Sequence, residues 1–166
     1  MDEKLSIEEA HKLADDVEKA IKTSISNISE ILIHVEPAKK VIYRIAVPIE
    51  YSGGEARISE HFGRAKSLMI VEVNMKESTY KLCEIVDNPF ATEKDKAGIK
   101  TVRMLVIKNI DAIITRNIGD TAYFLLKGHG IKIYQADTPM VDDVVEKFIR
   151  GTCKELKAPT RKHNLK

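Results

Sequence analysis

Apolar residues recur along this chain with two different periods, and the switches between them outline its architecture. Ile7, Ala10, Leu13, Val17, Ala20 and Ile21 follow three- and four-residue spacing, which lays one apolar stripe along a helix over roughly residues 7–23. Ser6-Ile7-Glu8-Glu9 opens it as a capping box, with Ser6 accepting from first-turn amides and Glu9 reaching back. Ser26-Asn27 breaks the pattern, and the β-branched run from Ile28 to Glu36, stopped by Pro37, predicts a strand over about residues 30–36. One helix on one strand leaves ladder groups unpaired and the stripe poorly covered, so this arm needs a mate.

Ala38-Lys39-Lys40 is a short polar junction, and a larger domain follows it. Val41 to Ile49 reads as a strand, with Pro48 placing its far end at an edge or off the sheet. Glu50 to Arg64 reads as a loop carrying Gly53-Gly54. Leu68 to Val73 and Tyr80 to Val86 read as strands joined closely enough for a hairpin. The period then changes. Ile99, Val102, Leu105, Val106 and Asn109 share a helix face, and Asp111 to Thr115 is a short apolar strand. Asn117-Ile118-Gly119-Asp120 opens a second helix closed by Gly128, Ile131 to Gln135 is again a strand, and Asp137-Thr138-Pro139 leads into a helix of about residues 140–150. Antiparallel-looking strands followed by β-α-β-α units predict an α/β fold, a mixed sheet with helices on its faces.

Composition narrows the function classes. At 166 residues, 43% hydrophobic and 31% charged, the chain buries a real core. A balance of 27 basic against 25 acidic residues implies no polyanion-binding surface, and no nucleic-acid partner is expected. Cys83 and Cys153 form no C-x-x-C, which argues against a disulfide framework and an all-thiolate zinc or iron-sulfur site. With no apolar run near the ~20 residues needed to span a bilayer and no signal-peptide pattern, membrane insertion is not expected and the cytoplasm is the expected location. Neither a G-x-G-x-x-G nor a P-loop occurs, which disfavours nucleotide binding.

The loop Ser59-Glu60-His61-Phe62-Gly63-Arg64 sets a histidine before an aromatic and a buried strand. Ile58 to Ala65 followed by Met69-Ile70-Val71-Glu72-Val73, then Asp87-Asn88-Pro89, Ala97-Gly98-Ile99-Lys100, Asp111-Ala112-Ile113-Ile114, Asn117-Ile118-Gly119 and Gly130-Ile131-Lys132-Ile133-Tyr134 occur in order. This succession resembles the dinitrogenase iron-molybdenum cofactor biosynthesis family. The resemblance implies a ribonuclease H-like three-layer fold with helices on both faces of the sheet. It also implies a part in holding or passing an iron-sulfur or iron-molybdenum cluster precursor. His61 would supply a ligand nitrogen, Arg64 and the Gly63 amide donors, and Arg116, Asn117 and Gly119 a strand-to-helix loop whose terminal amides favour anions. A structural reading stands beside it, in which His61 only hydrogen-bonds the loop and Phe62 plugs the core. Phe90 to Gly98 holds no histidine or cysteine, so that stretch adds no soft ligand.

The arm has its own resemblance. Leu5-Ser6-Ile7-Glu8-Glu9-Ala10-His11, Val17-Glu18 and Ile31-Leu32-Ile33-His34-Val35-Glu36-Pro37 are similar to the second half of the cytoplasmic dimerisation domain of cation diffusion facilitator transporters. What that implies is a divalent site, zinc or a similar ion, on His11, His34 and Glu36, and a homodimer formed through the arm. His34 and Glu36 alternate onto one strand face. The structural reading leaves His34 half buried and His11 exposed.

Three segments follow: an arm over 1–39, a cofactor-family-like domain over 40–156 and a solvated basic tail over 157–166. The leading expectation is a non-enzymatic, metal- or cluster-binding carrier or regulator associated with a cation efflux system, its partners a membrane cation transporter or a cluster-assembly protein. The alternative is a purely structural dimerisation and docking domain. A nuclease is disfavoured, because the predicted strands supply too few carboxylates to hold two metal ions.

Overall fold

The computed structural model describes residues 7–33 and 39–161, and the chain divides into two compact units, Met1–Lys39 and Lys40–Lys166.

In the first unit, helix α1 spans Ile7–Ser24. Glu8 and Glu9 in its first turn and Lys22 in its last complement the helix dipole, and Lys22 pairs with Glu18 one turn back. Asn27 ends the run at φ 75, a conformation that asparagine tolerates better than most residues. Residues 28–33 form no strand, a correction to the expected extended element over 30–36, whose remaining positions lie outside the described residues. A lone strand has no neighbour for its ladder groups, so β-branched composition does not suffice.

The second unit is built on a six-stranded mixed sheet. Its strands are β1 (Ile42–Ser52), β2 (Glu55–Ile58), β3 (Ser67–Asn74), β4 (Thr79–Asp87), β5 (Ala112–Thr115) and β6 (Lys132–Gln135). They run in the order β4-β3-β1-β5-β6, with β2 paired to the far end of β1. β3 is antiparallel to its neighbours β1 and β4, whereas β1 with β5 and β5 with β6 are parallel. The parallel pairs need crossovers, supplied by α2 (Ala97–Ile107) and α3 (Asp120–Gly128), and α4 (Val141–Ile149) follows β6.

Alternation along the strands sorts the core into two halves. Ala46, Leu68, Ile70, Ile113 and Ile133 point to one face, where Val102 and Leu105 of α2 and Leu126 of α3 cover them. Ile45, Val47, Val71, Val73 and Ile114 point to the other and meet Val144, Val145 and Phe148 of α4. The sheet therefore lies between helices.

Four local readings differ from the sequence expectation. The stretch read as a loop after Ile49 contains a hairpin, because Gly53 and Gly54 take φ 62 and 84 and together form the tight turn that returns β2 onto β1. Pro48 stays inside β1, its carbonyl accepting the Ser59 N–H at 2.8 Å. The side of β1 that proline leaves without a donor lies where β5 has stopped pairing, so no ladder bond is lost. Asn109 leaves α2 at φ 55 instead of continuing its face, whereas α3 ends at Gly128 as expected, with Gly130 left-handed just beyond it.

The fourth concerns the basic tail. Lys154 to Arg161 runs back over the unit as a hydrogen-bonded strap, although Lys157, Ala158, Thr160 and Arg161 keep the expected exposure to solvent. The Lys154 carbonyl accepts from Gln135 N–H (2.8 Å), Leu156 N–H donates to the Ile133 carbonyl (2.8 Å), and the Leu156 side chain is buried. The outer edge of β6 is thereby covered. A few backbone bonds and one apolar residue outweigh the solvation of the flanking lysines, whose ammonium groups stay at the surface.

Candidate functional site

The loop between β2 and β3 is anchored from beneath. Ser59 is buried and its Oγ accepts the His61 N–H at 3.2 Å, a side-chain turn that sharpens the bend. Phe62 and Ala65 enter the core, so the aromatic does plug it, while His61 and Arg64 on either side remain exposed. Asn88 fixes the rest. Its buried amide donates to the Gly63 carbonyl (3.0 Å) and the Ala65 carbonyl (2.9 Å), and its Oδ1 accepts the Phe90 N–H (3.2 Å).

The loop from β5 to α3 stands opposite. Thr115, fully buried, donates from Oγ1 to the Asn117 carbonyl at 3.1 Å. Asn117 in turn donates to the Glu60 carbonyl at 3.0 Å, joining the two loops. Arg116 is ion-paired with Glu60 and does not line the cavity described next.

Between these loops and the first turns of α2 and α3 lies a cavity of about 710 Å³. His61, Gly63 and Arg64 line one side and Asn117 and Gly119 another, so five of the expected residues meet there. Lys94, Lys96 and Arg161 add cationic side chains against Asp95 and Asp120. No side chain caps the start of α2, and at α3 the Asp120 carboxylate takes the Thr121 N–H at 2.6 Å; the helix starts still line the cavity wall, where the dipole favours negative charge. The surroundings suit an anion held by hydrogen bonds and charge.

A bare metal cation is served less well. Among the described residues no group of three or more His, Cys, Asp or Glu gathers at one point. Neither cysteine lines the cavity. Cys83 is exposed on β4, and burial, with the Asp137 carboxylate second, pushes the Cys153 thiol up to about 11. At neutral pH that thiol is protonated, and a ligand must be thiolate. The residues present fit an anionic metal-sulfur species that brings its own bridging ligands. In the first unit His11 is exposed on α1, whereas His34 and Glu36 lie outside the described residues.

Sequence reasoning passed over Asn88, Lys94, Lys96 and Arg161. Asn88 stood inside a quoted motif without a role, and its polar side chain before a proline gave no sign of burial. The two lysines belonged to a stretch weighed only for soft ligands.

Residues 43–151 match the family described as dinitrogenase iron-molybdenum cofactor, and residues 1–38 match the cytoplasmic domain of cation efflux proteins. The chain is 34% identical over 113 residues to the uncharacterized protein MJ0580 of Methanocaldococcus jannaschii, covering 68% of this chain and 91% of that one. The apo form of the orange protein from Desulfovibrio gigas superposes with a TM-score of 0.59 at 27% identity, over 71% of this chain and 96% of its own. The Thermotoga protein TM1290 does so with a TM-score of 0.56 at 28% identity, over 72% and 97%. With the family match extending over more than half of its length, from β1 to the end of α4, the chain belongs to the dinitrogenase iron-molybdenum cofactor family.

Proposed function

We propose that this protein is a non-enzymatic carrier or regulatory module that holds an iron-sulfur or iron-molybdenum cluster species, as cargo, in the cavity between His61–Arg64 and the starts of α2 and α3. One observation carries the reading: Arg64, Lys94, Lys96 and Arg161 converge with the starts of α2 and α3 and a single imidazole on one cavity. Hydrogen bonds to charged groups contribute roughly 1.5–3 kcal/mol each. A handful of them retains a dianionic or larger cargo yet lets it leave, which transfer requires. The order β4-β3-β1-β5-β6 supports the ribonuclease H-like label for the sheet. Family membership supports the link to cluster handling.

The test is uptake. Protein prepared without oxygen and reconstituted with ferrous iron and sulfide, with and without molybdate, is expected to retain metal after gel filtration. Replacing Lys94 and Lys96 together by glutamine should lower the retained amount several-fold. No retained metal in the unaltered protein would reject the reading.

A second reading concerns the arm. Leu13 and Val17 of α1 are 53% and 42% exposed, an apolar stripe that a second copy would cover. We read residues 1–39 as a homodimerisation arm, with zinc or another divalent ion at His11, His34 and Glu36. The match of residues 1–38 supports the dimerisation arm, and association with a cation efflux system, through a membrane transporter or a cluster-assembly partner in the cytoplasm, belongs to the same proposal. Removing residues 1–39 should convert dimer to monomer by solution mass measurement. If histidine substitutions leave both mass and metal content unchanged, the purely structural docking alternative holds instead.

A further inference from the structure

The strap lies beyond the residues that match the family, yet it reaches the cavity. Thr160 clamps Ile118 of the β5–α3 loop: its Oγ1 accepts the Ile118 N–H at 2.7 Å, and its own N–H donates to the Ile118 carbonyl at 3.1 Å. Arg161 N–H donates to the same carbonyl at 3.1 Å. Upstream, Tyr123 Oη donates to the Leu156 carbonyl at 3.2 Å. These bonds bring the Arg161 guanidinium to 2.9 Å from His61 Nδ1.

A guanidinium has five N–H donors and no acceptor, and it keeps its proton at any pH a protein meets. The Nδ1 that meets it must therefore present a lone pair. The ring proton of a neutral His61 then sits on Nε2, which makes Nε2 a donor. A metal ligand needs a lone pair at the ligating nitrogen. With Nδ1 taken by Arg161 and Nε2 protonated, the ring has none to offer.

We propose that Arg161 is a positioning residue of the cavity, holding His61 in its Nε2–H tautomer so that the imidazole meets an anionic cargo as a hydrogen-bond donor and not as a metal ligand. The tautomer follows from the free protein alone; the donor role rests on the cavity being a cargo site.

The experiment has two arms. In full-length protein labelled with ¹⁵N-histidine, long-range ¹H–¹⁵N correlation at alkaline pH, where an imidazole carries one proton, should show His61 protonated at Nε2 and bare at Nδ1. Arg161→Ala should move the ring toward a mixture of tautomers, and Arg161→Lys, which also only donates, should restore the original signature. A protonated Nδ1 in the unaltered protein, or an unchanged ring spectrum in Arg161→Ala, would overturn the proposal. In the second arm, protein reconstituted with ferrous iron and sulfide is compared across His61→Gln, which keeps an N–H donor but offers no imidazole nitrogen, and His61→Ala. Retention within a few-fold for His61→Gln, against a loss of about tenfold for His61→Ala, is expected. Equal loss in both would mean that His61 ligates the metal, and the donor role would fall. If the unaltered protein retains nothing, the cargo reading fails instead, and the ring spectrum decides the tautomer by itself.

Discussion

Gly63 stands so close to Gly98 that a Cβ built on the first would lie 2.6 Å from both the Cα and the amide nitrogen of the second. The site loop thus rests directly on the opening turn of α2. Gly63→Ala must push backbone away from backbone, and overpacking of this kind costs about 1–3 kcal/mol. Gly98→Ala meets only the Ala122 Cβ at 3.3 Å, and alanine within a helix is favoured over glycine by roughly 0.8–1 kcal/mol. Urea unfolding should show the first variant clearly destabilised and the second close to neutral. The reverse ranking would mean that the loop does not rest where it is described.

Asn88 holds two carbonyls of the site loop, that of Ala65 in a buried bond and that of Gly63 in a partly buried one. Asn88→Ala leaves the Ala65 carbonyl without this donor and the Gly63 carbonyl with only Thr101 Oγ1 at 3.5 Å, a loss of about 2–3 kcal/mol. Asn88→Asp should be worse, because a carboxylate then faces both oxygens in a buried position. Thermal denaturation of the three proteins should rank them asparagine, alanine, aspartate.

On the opposite face of the sheet, Tyr80 Oη donates to Asp142 Oδ1 at 2.6 Å and ties β4 to α4. The hydrogen bond to Asp142, then burial, then the charges of Asp142 and Glu146 push the phenol from 10.0 up to about 12. Raising the pKa on folding means that the neutral phenol is the form the native state favours. Its contribution is complete below pH 10.0 and disappears as the pH climbs toward about 12. Tyr80→Phe should lower the urea midpoint at neutral pH and flatten its decline across that alkaline window.

The two thiols should behave differently toward a maleimide. Cys83 is the extra residue of the β4 bulge opposite Ile70 and Val71, and it is exposed. Cys153 is half-buried, its Sγ directed at the Gln135 carbonyl 3.6 Å away and its pKa lifted to about 11. One equivalent of label is expected to react quickly at neutral pH, with the second incorporated only after denaturation. Rapid double labelling, read by mass, would contradict the packing of the strap near Cys153.

Much of the sheet was legible because β1, β3 and β5 carry buried residues on both faces and read as continuous apolar runs, as in Leu68 to Val71 and Ala112 to Ile114. β2 was not, since Glu55-Ala56-Arg57-Ile58 has one fully buried side chain and is held by its glycine turn and by register. Of the site, the loop pattern marked His61, the family resemblance marked Arg64, and the strand-to-helix rule marked Asn117 and Gly119. Arg116 shows the limit of that rule, because whether a cation faces the cavity or pairs with Glu60 depends on a contact between loops 56 residues apart in sequence. Arg161 lies farther still, 100 residues from the imidazole it touches. Hydrophobic periodicity predicts which face of an element is covered, but it holds no information on where a polar segment returns.

Lys96 enters α2 in a left-handed conformation, φ 62 and ψ 11, where a side chain costs roughly 1–2 kcal/mol and glycine costs nothing. Holding an ammonium at the cavity therefore runs against the intrinsic preference of the chain. Selection of variants for heat resistance alone would favour Lys96→Gly, and the hardier protein it yielded would have given up part of its grip on negative charge.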